Sequence, residues 1–118
     1  MSRVDATVLV ATYNRGHLLP GTLAALESQL VPDDLTWEIL FVDNNSRDRT
    51  REAVASFAGA ANVPVRYVLE SQQGLSHARN RGVREAHGAV IAFTDDDVLP
   101  APDWLASIAK AFAKWEAD

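Results

Sequence analysis

Short apolar runs alternate along the chain with longer segments whose apolar residues recur every three or four positions. The runs predict buried strands over residues 6–11, 37–42, 63–69 and 89–94. Helical spacing predicts four helices, whose apolar positions are Leu19, Leu23, Leu26 and Leu30; Ala53, Val54, Phe57 and Ala58; Leu75, Ala78, Gly82, Val83 and Ala86; and Leu105, Ile108, Phe112 and Trp115. Regular β-α alternation therefore predicts an α/β fold, with a parallel four-stranded sheet and flanking helices.

Local signals predict where these helices begin and end. Ser46 is a plausible N-cap for a second helix over residues 47–58, which Gly59 helps to end. Gly88 is expected to be the C-cap of the third helix. Pro102 suits the first turn of the last helix.

Composition limits the classes of function. The chain has 118 residues, 47% hydrophobic and 23% charged, which is typical of one globular domain over residues 1–118. Its formal net charge of −5, without a basic stripe, makes nucleic acid an unexpected partner. The absence of cysteine excludes disulfides, thiolate metal sites and cysteine nucleophiles. No membrane segment or secretory signal is recognisable, so a cytoplasmic location is the expectation.

Polar residues follow every predicted strand, including three consecutive aspartates at 95–97 after the fourth. The carboxyl ends of parallel strands meet at one edge of a sheet, where ligands bind. Adjacent carboxylates repel one another, and a bound Mg²⁺ or Mn²⁺ would relieve this repulsion. A solvated acidic loop that caps the next helix explains the local pattern equally well.

Familiar nucleotide and hydrolase motifs are missing from the sequence. There is no G-x-G-x-x-G after the first strand, no G-x-x-x-x-G-K-[ST] and no G-x-S-x-G. Tyr13, Arg79 and the aspartates after neighbouring strands instead favour a ligand with a base, a ribose and a metal-bound diphosphate.

Four segments together resemble the successive motifs of family 2 glycosyltransferases: residues 10–15 (VATYNR), 42–46 (VDNNS), 74–82 (GLSHARNRG) and 93–97 (FTDDD). The resemblance implies an inverting enzyme with a Rossmann-like GT-A fold that uses nucleotide-diphospho-sugars. It covers nearly all of this chain but only the first half of a typical catalytic domain of the family.

The resemblance also implies residue roles. Four residues would line the nucleotide base: Thr12, Tyr13, Asn14 and Arg15. Asp43 would hydrogen-bond the base, commonly uracil, so a UDP-sugar is favoured, and Arg79 would lie against the nucleotide. Asp95, Asp96 and Asp97 would form the D-x-D motif. Asp95 would lie near the ribose, and Asp97, together with Asp95, would hold the Mn²⁺ or Mg²⁺ that bridges the diphosphate.

The same resemblance implies that part of the catalytic machinery lies outside this chain. The general base would lie in a second half, so this chain is expected to bind the donor without transferring the sugar. In the resembled fold the fourth strand lies between the first strand and strands of that half. An uncovered edge here predicts a homo-oligomer.

Two other functions remain open. One is a non-catalytic binding or assembly module with a degenerate site. The other is a phosphotransferase of the haloacid dehalogenase type, although its D-x-D-x-[TV] signature requires Thr or Val where this chain has Leu99.

Overall fold

The strands form one parallel sheet in the order β3-β2-β1-β4: β1 Ala6–Thr12, β2 Trp37–Asp43, β3 Val65–Leu69 and β4 Val90–Asp95. The structure, a computed structural model, describes residues 4–116, with side chains for residues 4–112. The predicted Rossmann-like α/β fold with four parallel strands is confirmed. Within the described residues β4 pairs with β1 only, so its outer edge is unpaired, as expected.

Helices cover both faces of the sheet: α1 Leu19–Glu27, α2 Thr50–Ala60, α3 Leu75–Glu85 and α4 Trp104–Glu116. One face packs against α1, α2 and α4, with Val8 and Phe41 in its core. The other face packs against α3, where Leu9 and Val42 meet Ala78. Alternate residues of each strand thus enter two separate apolar layers. None of the described helices is long and apolar enough to cross a membrane.

The strand register brings the carboxyl ends of β1, β2 and β4 level with one another. Thr12 pairs with Asp43 on β2, and Ala11 pairs with Asp95 on β4. The polar segments that follow these strands therefore emerge at one edge, as the sequence predicted.

Four predicted apolar positions are exposed, among them Phe112 on α4 at 46%. Leu30 is 71% exposed because α1 ends at Glu27, one turn earlier than predicted. On α3, Leu75 and Val83 face solvent while Ala78 and Gly82 are buried. The side chain of Trp115 lies outside the described side chains.

Two predicted helix caps are wrong. α2 begins at Thr50 instead of 47, because Asp48 Oδ1 accepts hydrogen bonds from the backbone N–H and the hydroxyl of Thr50. The Ser46 hydroxyl instead accepts a hydrogen bond from the backbone N–H of Asn14. α3 ends at Glu85, with Ala86 as its C-cap in extended conformation, so Gly88 is not the cap. Gly88 instead passes so close to β1 that a Cβ there would lie 2.4 Å from the backbone nitrogen of Thr7.

A buried carboxylate connects the strands at the opposite edge of the sheet. Glu38 accepts hydrogen bonds from the hydroxyl of Thr7 at 2.7 Å and the backbone N–H of His87 at 2.9 Å. Arg66 pairs with it at 3.2 Å. Burial alone would raise the pKa of Glu38, but the hydrogen bonds from Thr7, His87 and Arg66 and the charge of Arg66 outweigh it and lower the pKa.

Candidate functional site

A cleft of about 500 Å³ opens at the carboxyl edge of the sheet. Its walls come from the ends of β1, β2 and β4 and from the start of α3. The lining residues are Ala11, Thr12, Tyr13, Arg15, Asn44, Gln73, Gly74, Leu75, Ala78, Asp95, Asp96 and Asp97.

The structure brings six of the nine predicted site residues into this lining: Thr12, Tyr13, Arg15, Asp95, Asp96 and Asp97. Three others, Asn14, Asp43 and Arg79, are outside it. Arg79 is exposed on α3. The positions of Asn14 and Asp43 have identifiable physical causes.

Asn14 joins the loop after β1 to the loop after β2. Its backbone N–H donates to the hydroxyl of Ser46 at 2.8 Å, and its Oδ1 accepts from the N–H of Arg47 at 2.8 Å. The N–H of Gly16 donates to Asp48 Oδ2 at 3.0 Å. Asn14 adopts a φ of 52°, a left-handed conformation that asparagine tolerates. Asn14 therefore connects the two loops and is not in the cleft lining.

Asp43 is 2% exposed, and both of its carboxylate oxygens have partners. Oδ1 accepts from the N–H of Ser46 at 2.9 Å, and Oδ2 accepts from the hydroxyl of Tyr67 at 2.5 Å. Burial and the neighbouring Asp43 raise the pKa of Tyr67, so the phenol stays a hydrogen-bond donor. Arg51 lies 5.4 Å from the centre of the Tyr67 ring. This cluster fixes the end of β2 on the α2 side of the sheet.

Asn44, directly after β2, is a lining residue that sequence reasoning missed. Side chains alternate between faces along a strand, so the residue after Asp43 points toward the α3 side, where the cleft lies. By the same alternation Asn44 lies on the same face as Val42, which belongs to the apolar layer under α3. The alternation of strand residues was therefore a signal for the position of Asn44. Gln73, Gly74 and Leu75 were also missed as lining residues.

The three aspartates after β4 have different surroundings. Asp96 is held in place: the Thr12 hydroxyl donates to its Oδ2 at 2.9 Å, and the Thr22 hydroxyl donates to its backbone carbonyl at 2.6 Å. Asp95 and Asp97 are exposed in the cleft. Among the side chains of residues 4–112, none forms a hydrogen bond or ion pair with either carboxylate.

These two carboxylates suit a hard divalent cation. Within the described part of the chain, no group of three or more metal-ligating side chains is assembled. A complete protein cage for a metal is therefore not formed there. Mg²⁺ and similar ions are often held by one or two carboxylates, with substrate phosphates and water completing the shell. Asp95 and Asp97 fit this second kind of site.

Comparison with known proteins identifies the family. Residues 7–118 match the model of Glycosyl transferase family 2. The chain belongs to glycosyl transferase family 2. This membership agrees with the resemblance in the sequence and disfavours a phosphotransferase of the haloacid dehalogenase type.

Curated proteins similar to this family 2 chain include two named glycosyltransferases. Glycosyltransferase AglE of Haloferax volcanii is 35% identical over 99 residues, which is 84% of this chain and 32% of that protein. Validoxylamine A glucosyltransferase of Streptomyces hygroscopicus subsp. limoneus is 36% identical over 110 residues, 91% of this chain and 23% of the relative. The chain thus spans less than a third of the length of each of these relatives.

Solved structures establish the GT-A fold of this family 2 chain. The mannosyltransferase PcManGT from Pyrobaculum calidifontis, in complex with GDP-Man and Mn²⁺, superimposes with a TM-score of 0.81 at 36% identity, covering 100% of this chain and 34% of that one. TarS residues 1–349 of S. aureus, in complex with UDP, has a TM-score of 0.83 at 23% identity, covering 94% of this chain and 32% of that one. The predicted GT-A fold is confirmed.

Proposed function

We propose that the cleft binds the nucleotide-diphospho-sugar donor of a metal-dependent, inverting glycosyltransferase. The observation that carries the proposal is the pair of exposed carboxylates, Asp95 and Asp97, which share one cleft with Tyr13 and Arg15. Two carboxylates that have no partner among the described side chains suit a cation. An aromatic ring and an arginine in the same cleft suit a base and its phosphates.

The lining residues of the cleft would have separate tasks. Tyr13 is partly exposed and would stack against the base, while Arg15 would offer its guanidinium to phosphate oxygens. Asp95 would lie near the ribose. Asp96, whose carboxylate is engaged by Thr12, would hold the turn in place. The proposed contact of Arg79 with the nucleotide requires a ligand that extends beyond the described cleft.

Asp97, with Asp95, would hold the divalent ion. When bound, such an ion neutralises negative charge on the diphosphate and so stabilises the departing nucleoside diphosphate. The Mn²⁺ in the PcManGT complex supports a divalent cation here, because that protein is 36% identical over the whole of this chain. Titration of the nucleotide in the presence of each ion separately distinguishes Mn²⁺ from Mg²⁺.

A UDP-sugar is our favoured donor, as the resemblance implied. The GDP-Man of PcManGT makes a GDP-sugar the alternative to test. Asp43 was expected to hydrogen-bond the base, but its two oxygens already bind Ser46 and Tyr67. Each oxygen could still accept a second hydrogen bond, but Asp43 is only 2% exposed, so a direct contact with the base would require the residues that cover it to move.

Calorimetric titration tests this function. UDP, GDP and TDP, and their sugars, are titrated into the full chain with Mn²⁺, with Mg²⁺ and with neither. We expect binding of at least one nucleoside diphosphate that weakens when the metal is withheld. If none of them binds in the presence of either metal, the proposal fails.

A second proposal concerns assembly, which the unpaired edge of β4 favours. Phe93 on this strand is 47% exposed, although its neighbour Ala92 is buried. Exposed edges pair readily with another chain. We propose that two copies of this chain associate along β4. A non-catalytic binding or assembly module would share this property with the donor-binding domain.

A further inference from the structure

One side chain, Asn44, holds the loop between β3 and α3 at three points. Its Nδ2 donates to the carbonyl of Glu70 at 3.1 Å and to the carbonyl of Gln72 at 2.9 Å. Its Oδ1 accepts from the backbone N–H of Gly74 at 2.9 Å. Asn44 is 7% exposed, so these bonds lie largely out of water.

The segment held in this way forms one wall of the cleft. Gln73, Gly74 and Leu75 all line the cleft, and α3 begins at Leu75. Gly74 has a φ of 135°, a conformation that other residues rarely adopt. A loop with this freedom needs external contacts to keep one shape, and the amide of Asn44 supplies a donor for two carbonyls and an acceptor for one N–H.

We propose that Asn44 is a positioning residue that fixes this wall for the nucleotide, an inference that rests on the proposed function. It acts through the backbone of residues 70–74, of which Gln73 and Gly74 line the cleft and would lie against the ligand. An amide is required at this position. An aspartate would still accept from Gly74 but would turn a carboxylate oxygen toward the carbonyls of Glu70 and Gln72, where a donor is needed.

The substitution Asn44→Asp tests the role, with Asn80→Asp as control. Asn80 lies exposed on α3, and its replacement makes the same change of charge. UDP and GDP are titrated calorimetrically into each full-chain variant, with and without Mn²⁺. We expect Asn44→Asp to lower the affinity of the bound nucleotide about tenfold and the control to change it less than about twofold. The ratio of affinities with and without Mn²⁺ should stay at the parental value in both, because Asp95 and Asp97 follow the end of β4, on the other side of β1 from Asn44.

Unchanged affinity of Asn44→Asp would overturn the inference. A variant in which both the nucleotide affinity and the ratio of affinities with and without Mn²⁺ fall would also contradict it, since such a result indicates general damage to the cleft. The melting temperature of each variant shows whether it is folded.

Hydrogen exchange of the unsubstituted chain gives a second test that needs no variant and no ligand. The amide of Gly74, bound to Asn44, should exchange at least about tenfold more slowly than the amide of Gln73, for which no partner exists among the described residues, after correction for intrinsic rates. Equal rates would show that Asn44 does not fix the wall. If the chain binds no nucleotide but Gly74 is protected, the proposed function fails while the structural role of Asn44 stands.

Discussion

The hydroxyl of Thr12, at the end of β1, donates a hydrogen bond to Asp96 Oδ2 at 2.9 Å, joining residues that are 84 positions apart. Thr12 is buried and Asp96 half-buried, so the bond is partly shielded from water. It holds Asp96, the middle one of three consecutive aspartates, against the sheet. The two flanking aspartates lie exposed in the cleft, and among the described side chains none contacts their carboxylates through a hydrogen bond or ion pair.

Thr12→Val removes this anchor while keeping the side-chain shape. We expect the free energy of unfolding to fall by about 2 kcal/mol, because a hydrogen bond to a charged group is lost and Asp96 loses its partner. Nucleotide affinity in Mn²⁺ should fall as well, since the turn that carries Asp95 and Asp97 loosens. Urea denaturation and calorimetry measure the two effects. Thr36→Val, an exposed threonine at the opposite edge of the sheet, is the control and should change neither.

Asp97→Asn tests the proposed metal ligand. The amide keeps the size of the side chain but removes its charge, so the affinity for the nucleotide should become nearly independent of Mn²⁺, with a ratio of about 1. Asp33→Asn, in an exposed loop before β2, makes the same change away from the cleft and should keep the parental ratio. Full metal dependence in Asp97→Asn would remove Asp97 from the site.

Gly88→Ala and Gly59→Ala should have opposite effects on stability. A Cβ at Gly88 would lie 2.4 Å from the nitrogen of Thr7, so β1 or the loop must move, at a cost of about 1–3 kcal/mol. Gly59 lies within α2, and a methyl group added there would have no atom within 4 Å, so alanine should stabilise the helix by about 0.5–1 kcal/mol. Thermal denaturation of both variants checks the signs. If Gly88→Ala left the thermal stability unchanged, the approach of the loop to Thr7 would not be tight.

Glu38→Gln should alter the pH dependence of stability. The pKa of Glu38 in the folded chain lies below the usual glutamate value of 4.5. Its charged form therefore adds stability above the unfolded pKa, and this contribution is lost as the pH falls through the lower folded pKa. We expect the variant to be about 2 kcal/mol less stable at pH 7 and to lose less of its stability between about pH 5 and 3 than the parent.

Denaturation at a series of pH values measures this difference in slope. Glu27→Gln is the control, because Glu27 forms no hydrogen bond or ion pair with any other described side chain, and the parental slope should be kept. An unchanged slope in Glu38→Gln would mean that the contacts with Thr7 and Arg66 do not favour the ionised carboxylate.

Phe93→Lys tests association along β4. The parent should increase in mean mass with concentration in light scattering, because β4 offers unpaired backbone groups beside an exposed aromatic ring. A lysine on an edge strand opposes such pairing, so the variant should remain monomeric. Leu30→Lys removes an exposed apolar residue away from this strand and should associate like the parent. A parent that stays monomeric at all concentrations contradicts the proposal.

The sequence by itself determined the succession of strands and helices and the edge at which the chemistry lies. Both follow from local features: each apolar run ends at polar residues, and alternation of strands with helices makes the strands parallel. These local features are sufficient to place Thr12, Tyr13, Arg15 and the aspartates at 95–97 at the carboxyl edge of the sheet, where the cleft lies.

Tertiary structure decided how neighbouring polar residues divide their tasks. Asp43 and Asn44 are adjacent in sequence, yet one binds Tyr67 under α2 and the other holds the wall beside α3. Asp96 is distinguished from Asp95 and Asp97 by Thr12, and Gly88 is required by Thr7 rather than by a helix end. Each distinction depends on a partner that lies far away in the chain. Local periodicity contains no information about such partners, because it describes a residue's own element and not the element packed against it.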